Sequence, residues 1–87
     1  MSEHTLTITT WDTGLDPESQ VLKCFEEAAE LFEAVRTQER KGHSYTAISE
    51  EVADLMQAAA NLGAMYGIDL KRALERCHEK NHERGRV

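Results

Sequence analysis

Two short acidic runs in this 87-residue chain have the spacing to do chemistry: Glu26-Glu27-Ala28-Ala29-Glu30 and Glu50-Glu51-Val52-Ala53-Asp54. Residues three apart on a helix share one side, so Glu27 with Glu30, and Glu51 with Asp54, each form a two-carboxylate claw. Acids on helices usually face solvent, and Glu27 and Glu30 fall on the polar flank of their helix's apolar arc, where a solvated acid also sits. The second run differs. At ~100° per residue Glu51 lies only ~20° from Ala58 and from Leu62, inside the apolar arc, and Asp54 lies at its edge near Met65 and Ala47. Burying an unpaired carboxylate costs several kcal/mol or forces it neutral. An acid at a core-facing position therefore needs a cation, a hydrogen-bond network or a proton.

Four carboxylates with no cysteine or histidine among them make an all-oxygen donor set, which suits Mg²⁺, or Mn²⁺, better than zinc. Mg²⁺ usually keeps waters and completes its shell with substrate phosphates, so such a cage anticipates a polyphosphate. It would polarise a phosphoryl oxygen and acidify a bound water. The four acids would by themselves repel a polyphosphate, which calls for two or more metal ions and basic side chains. Lys80 and Arg84, four apart on one helix side, are the natural candidates. Glu26, beside the first claw, is a candidate orienter or part of a base system, or an exposed acid. Asn81 falls on the line of Leu74 and Cys77, where an amide reads sugar or phosphate or else caps a core contact. Trp11 is placed to stack on a base or to anchor the segment that carries it.

Helices must hold these groups. Thr5 to Thr10 alternates polar and apolar residues, but one such strand without a partner makes no sheet, and residues 1–16 read as an extended arm. Asp16-Pro17-Glu18 then supplies an N-cap, a preset first helical residue and a first-turn acid. From there Val21, Leu22, Phe25, Ala28, Ala29, Phe32 and Val35 mark a helix that should stop near Gly42. After a loop through His43 and Ser44, a second helix is marked by Ile48, Val52, Leu55, Ala59, Leu62 and Tyr66 and ends at Gly67. Asp69 caps a third, whose narrow stripe of Leu70, Leu74 and Cys77 runs to about Arg84. The fold class is all-α: a helical bundle of three to four helices per chain in residues 17–87. Three amphipathic helices make a thin core, and small residues at Ala58, Ala59, Ala60, Gly63 and Ala64 invite close helix approach. A homodimer completing a four-helix-type bundle, or a homotetramer, is expected.

The formal charge of -6 opposes non-specific binding to nucleic acid or to an anionic membrane. It hides a split: residues 1–70 carry 13 acids against 4 bases, a net of -9, and residues 71–87 carry 6 bases against 3 acids, a net of +3. An acidic body with a basic tail can hold cations and anions side by side. Cys24 and Cys77 fall on apolar helix faces and read as structural thiols. With no secretion signal and no uninterrupted apolar span, the expected compartment is the cytoplasm.

The acidic pattern resembles the MazG-like, all-α nucleoside triphosphate pyrophosphohydrolase superfamily, whose relatives include dimeric dUTPases, dCTP pyrophosphatases and phosphoribosyl-ATP pyrophosphohydrolases. The resemblance runs from about Val21 to Arg84. It rests on E-E-x-x-E at Glu26 to Glu30, Glu50 to Leu55, the Gly67-Ile68-Asp69-Leu70 turn and the late Asn81-x-x-Arg84. It implies that Glu27, Glu30, Glu51 and Asp54 bind Mg²⁺, that Asn81 and Arg84 meet substrate, and that water attacks near the α-phosphate to release a nucleoside monophosphate and pyrophosphate. Relatives often carry a lysine one turn before the asparagine, where this chain has Cys77, and Arg76 or Lys80 would have to supply that charge. Two other readings stand beside this one. A carboxylate-bridged di-iron protein would use E-x-x-H pairs, and Glu75 with His78, and Glu79 with His82, have that spacing. A non-enzymatic helical dimer or regulatory module would leave the acids on the surface, which the position of Glu51 opposes.

Overall fold

The computed structural model describes residues 2–41 and 45–87, so the expected helix stop at Gly42 and the loop at His43 and Ser44 lie outside the described residues. Three helices are present: α1, Pro17–Lys41; α2, Thr46–Met65; and α3, Leu70–Glu83. Among the described residues there is no strand, and residues 2–16 carry no regular element.

The punctuation of the sequence sets the ends of these helices. Asp16 Oδ1 accepts from the Ser19 amide at 2.7 Å, and hydrogen bonding to Ser19, first by its side chain and then by its amide, holds the Asp16 carboxyl below its ordinary range. At the other end of the pair, Gly67 takes φ +64°, the left-handed conformation that closes a helix without a Cβ penalty. Its amide bonds the Ala64 carbonyl and the Ile68 amide bonds the Gly63 carbonyl, both at 3.1 Å, which satisfies two carbonyls that α2 leaves open. Asp69 then caps α3 by accepting from the Arg72 amide at 3.2 Å.

α1 and α2 are the extensively packed pair. The face that α1 turns toward α2 is not the one its apolar periodicity marks. Gln20 and Glu27 are buried and Cys24, Leu31 and Ala34 half-buried, a row at spacings of three and four, whereas Leu22, Phe25 and Phe32 are 64%, 67% and 62% exposed. The polar flank of α1 thus faces α2, and its apolar arc stays open. α2 answers with buried Ala58 and with half-buried Ile48, Leu55 and Leu62. α3 follows the sharp turn, with Leu70 lying over Gly63. A Cβ on that glycine would sit 2.9 Å from Leu70 Cδ2. The rest of α3 is open: Leu74 is 69% exposed and Cys77 is exposed. The radius of gyration of 15.0 Å exceeds the roughly 12 Å expected for a compact chain of this length.

The arm is fastened to α1 and α2 by amide side chains. Gln57 Nε2 donates to the Thr9 carbonyl at 2.8 Å, and the Trp11 amide donates to Asn61 Oδ1 at 3.3 Å. Thr13 Oγ1 donates to Gln20 Oε1 at 2.9 Å, and Gln20 Nε2 donates to the Ala58 carbonyl at 3.0 Å. Gln20 is only 1% exposed, so its amide must bond where it is. Gln20→Leu removes both bonds at nearly constant volume and strands the Thr13 hydroxyl. Urea unfolding is expected to show a loss of about 1–3 kcal/mol, and an unchanged midpoint would show that the Gln20 bonds contribute nothing.

Candidate metal centre

Packing the polar flank of α1 on α2 carries Glu27 to the helix interface. There one carboxylate oxygen each of Glu27, Glu51 and Asp54 come within 4.8 Å of one another. Glu27 is buried, Glu51 half-buried and Asp54 exposed, so the group opens from the interface to solvent. Oε2 of Glu27 and Oε2 of Glu51 are buried and have no hydrogen-bond partner. Two unpartnered anionic oxygens at one interface are costly unless a cation or a proton joins them. The donors are all carboxylate oxygens, which suits a hard divalent ion such as Mg²⁺ or Mn²⁺ better than zinc.

Glu30 stands beside the group of three. Its carboxyl is held above the ordinary 4.5, first by hydrogen bonding with Glu27, then by the negative charge of Glu27, by desolvation and by the charges of Glu51 and Glu26. The Glu30 carboxyl thus holds its proton more readily than an isolated glutamate, as closely spaced like charges require.

The cluster divides two clefts. Glu30 and Glu51 border one of about 640 Å³ that extends past Thr37 and Gln38. Glu27 and Asp54 border the other, of about 320 Å³, whose far wall is made by Trp11, Thr13 and Asn61. Trp11 is 56% exposed and is held by its backbone bond to Asn61, so its ring borders the second cleft without being locked into a core.

Lys80, Asn81 and Arg84 border neither cleft within this chain. Asn81 is engaged locally: its Nδ2 lies 3.6 Å from Cys77 Sγ, and its Oδ1 accepts from Arg86 Nη1 at 3.2 Å. The cation that does border a cleft is Lys23, whose Nζ lies 3.1 Å from Glu27 Oε1 and 3.8 Å from Glu26 Oε2. Hydrogen bonding to Glu27, then the charges of Glu26 and Glu27, raise its pKa, so it stays charged. Its position one turn before Glu27 was visible in Lys23-x-x-Glu26-Glu27, a spacing the sequence reading passed over. Gln20, Gln57 and Asn61 were also passed over as arm holders, because a polar residue on a helix does not announce its partner. The Glu75 to His78 and Glu79 to His82 pairs both lie on α3, apart from the one metal-competent group found among the described residues.

Among the described residues the regular structure is all helical, and three carboxylates from two of the helices form a group that could hold a metal ion. The sequence profile of the MazG nucleotide pyrophosphohydrolase domain matches residues 15–86, and the chain belongs to that family. No curated protein and no solved structure shows a match to it. Among the described residues no helix is long and apolar enough to cross a membrane.

With no divalent ion bound, the raised Glu30 pKa makes its proton stabilising. That contribution is complete below the ordinary 4.5 and lost as pH rises through the raised value. In EDTA the melting temperature should fall as pH climbs through this window, and saturating Mn²⁺ or Glu30→Gln should remove the fall. A melting temperature that ignores both changes would contradict the raised Glu30 carboxyl.

Proposed function

We propose that the protein is a Mg²⁺-dependent nucleoside triphosphate pyrophosphohydrolase, converting a (d)NTP and water to a (d)NMP and pyrophosphate. The observation that carries this reading is the pair of buried, unpartnered oxygens on Glu27 and Glu51, converging with Asp54 beside two clefts. Membership of the MazG family supports it independently.

Glu27, Glu51 and Asp54 hold the metal in this reading, with Glu30 as the fourth ligand. A divalent ion bound there neutralises phosphate oxygens and makes a bound water more acidic. The nucleoside end occupies the cleft of about 320 Å³, a volume at the small end of ligand sites. Trp11, on the wall of that cleft, offers its ring to the base. The water oxygen bonds to the α-phosphorus, and the bond from that phosphorus to the α,β-bridging oxygen breaks, with its electron pair leaving on pyrophosphate. The water's proton passes to a carboxylate. Glu26, exposed beside Glu27, is the candidate acceptor, and Glu27 orients the water.

Oligomerisation belongs to the same reading. Leu22, Phe25 and Phe32 on α1, Tyr66 after α2 and Leu74 on α3 are each more than 60% exposed, an apolar surface a monomer rarely keeps. A second copy covering it would complete a four-helix core and fix α3, which carries Lys80 and Asn81 and ends just before Arg84, as the source of substrate-binding groups.

Incubation with Mg²⁺ and a panel of dNTPs and NTPs should release pyrophosphate. Glu51→Gln and Asp54→Asn should each lower kcat by about 100-fold or more while circular dichroism shows the helices retained. Turnover that survives both substitutions would remove the proposed centre. Light scattering should give at least twice the 9.8 kDa chain mass, and Phe25→Glu should shift the protein toward monomer. A monomeric wild type would refute the oligomer.

A further inference from the structure

We propose that Lys23 is a built-in counter-ion of the metal centre: its ammonium balances Glu27 when no divalent ion is bound and turns to the polyphosphate when one is. The inference rests on the hydrolase reading for its substrate half and on geometry alone for its metal half.

The Lys23 to Glu27 contact has the form of a common helix-surface pair, but three features set it apart. The lysine precedes the glutamate by four residues, the weaker orientation for helix stabilisation, so helix propensity gives little reason for it. Its partner is no surface acid: the Glu27 side chain is only 10% exposed, against 44% for that of Lys23. The two oxygens of Glu27 are also divided between neighbours. Oε1 faces the ammonium at 3.1 Å, while the buried Oε2 has no partner and belongs to the residue that meets Glu51 and Asp54. One carboxylate therefore bridges the lysine and the acidic group.

A divalent ion among Glu27, Glu51 and Asp54 would sit within a few ångströms of a fixed positive charge. Like charges at that range repel even in a partly solvated site, so Lys23 weakens metal binding while it remains on Glu27. Its half-exposed stem has room to turn. Lys23 borders the same cleft as Trp11 and Asp54, so the released ammonium faces the place assigned to the nucleotide. The lysine would thus couple metal loading to phosphate capture: it leaves an acid that no longer needs it and meets an anion that does.

The two halves give effects of opposite sign, which a merely structural lysine does not produce. Calorimetry should show Mn²⁺ binding to Lys23→Met about three- to tenfold more tightly than to the wild type. Binding of α,β-imido dNTPs in the presence of Mn²⁺ should weaken by about tenfold, with Lys23→Arg restoring most of it. Unchanged or weaker Mn²⁺ binding by Lys23→Met overturns the counter-ion role, and unchanged nucleotide binding overturns the capture role. Failure of the hydrolase reading looks different: a wild type that binds Mn²⁺ but cleaves no nucleotide. In that case the Mn²⁺ comparison still decides the counter-ion role. Circular dichroism of both variants verifies that the helices persist.

Discussion

Repulsion among carboxylates at the α1 and α2 interface is the constraint around which this small protein is organised. Glu27 is buried where an apolar side chain would give a more stable pair, and it faces Glu51 and Asp54 rather than a full complement of partners. A fold that maximised its own stability would not keep that arrangement. The arrangement becomes favourable when a divalent cation joins the three acids, so binding and stability are linked through the same oxygens. Lys23, paired with Glu27, is the partial substitute the chain supplies for itself.

The same constraint explains the two-sided character of α1. Its polar flank must face α2 to bring Glu27 to the interface, and this leaves Leu22, Phe25 and Phe32 pointing outward. Within the pair, small buried Ala58 and the buried Gln20 that bonds its carbonyl stand where a hydrophobic core would otherwise be. That suffices to position the acids and the arm. It leaves most of the apolar surface for another purpose, which is the physical ground for proposing a second copy.

The helix limits were legible because local chemistry sets them: the Asp16-Pro17 start, the left-handed Gly67 and the Asp69 cap each act over a few residues. The inward position of Glu51 was legible too, since residues near its angle on α2, Ala58 and Leu62, are ones that only burial accounts for. The orientation of α1 was not. Periodicity reports that an apolar arc exists, and it cannot say whether the same chain or another one covers it. The roles of Gln20, Gln57 and Asn61 were hidden for a related reason, because their partners are backbone groups far along the chain. Lys80, Asn81 and Arg84 were named from resemblance and charge, and their distance from the acidic group in one chain follows from how little of α3 packs against its own pair.

Anomalous diffraction from crystals grown with Mn²⁺ tests the central claim most directly. The account predicts a peak between Glu27, Glu51 and Asp54, with carboxylate oxygens at about 2.0–2.3 Å and the Lys23 ammonium withdrawn from Glu27. Manganese bound only at exposed acids elsewhere, with the three carboxylates still apart from any ion, would contradict it.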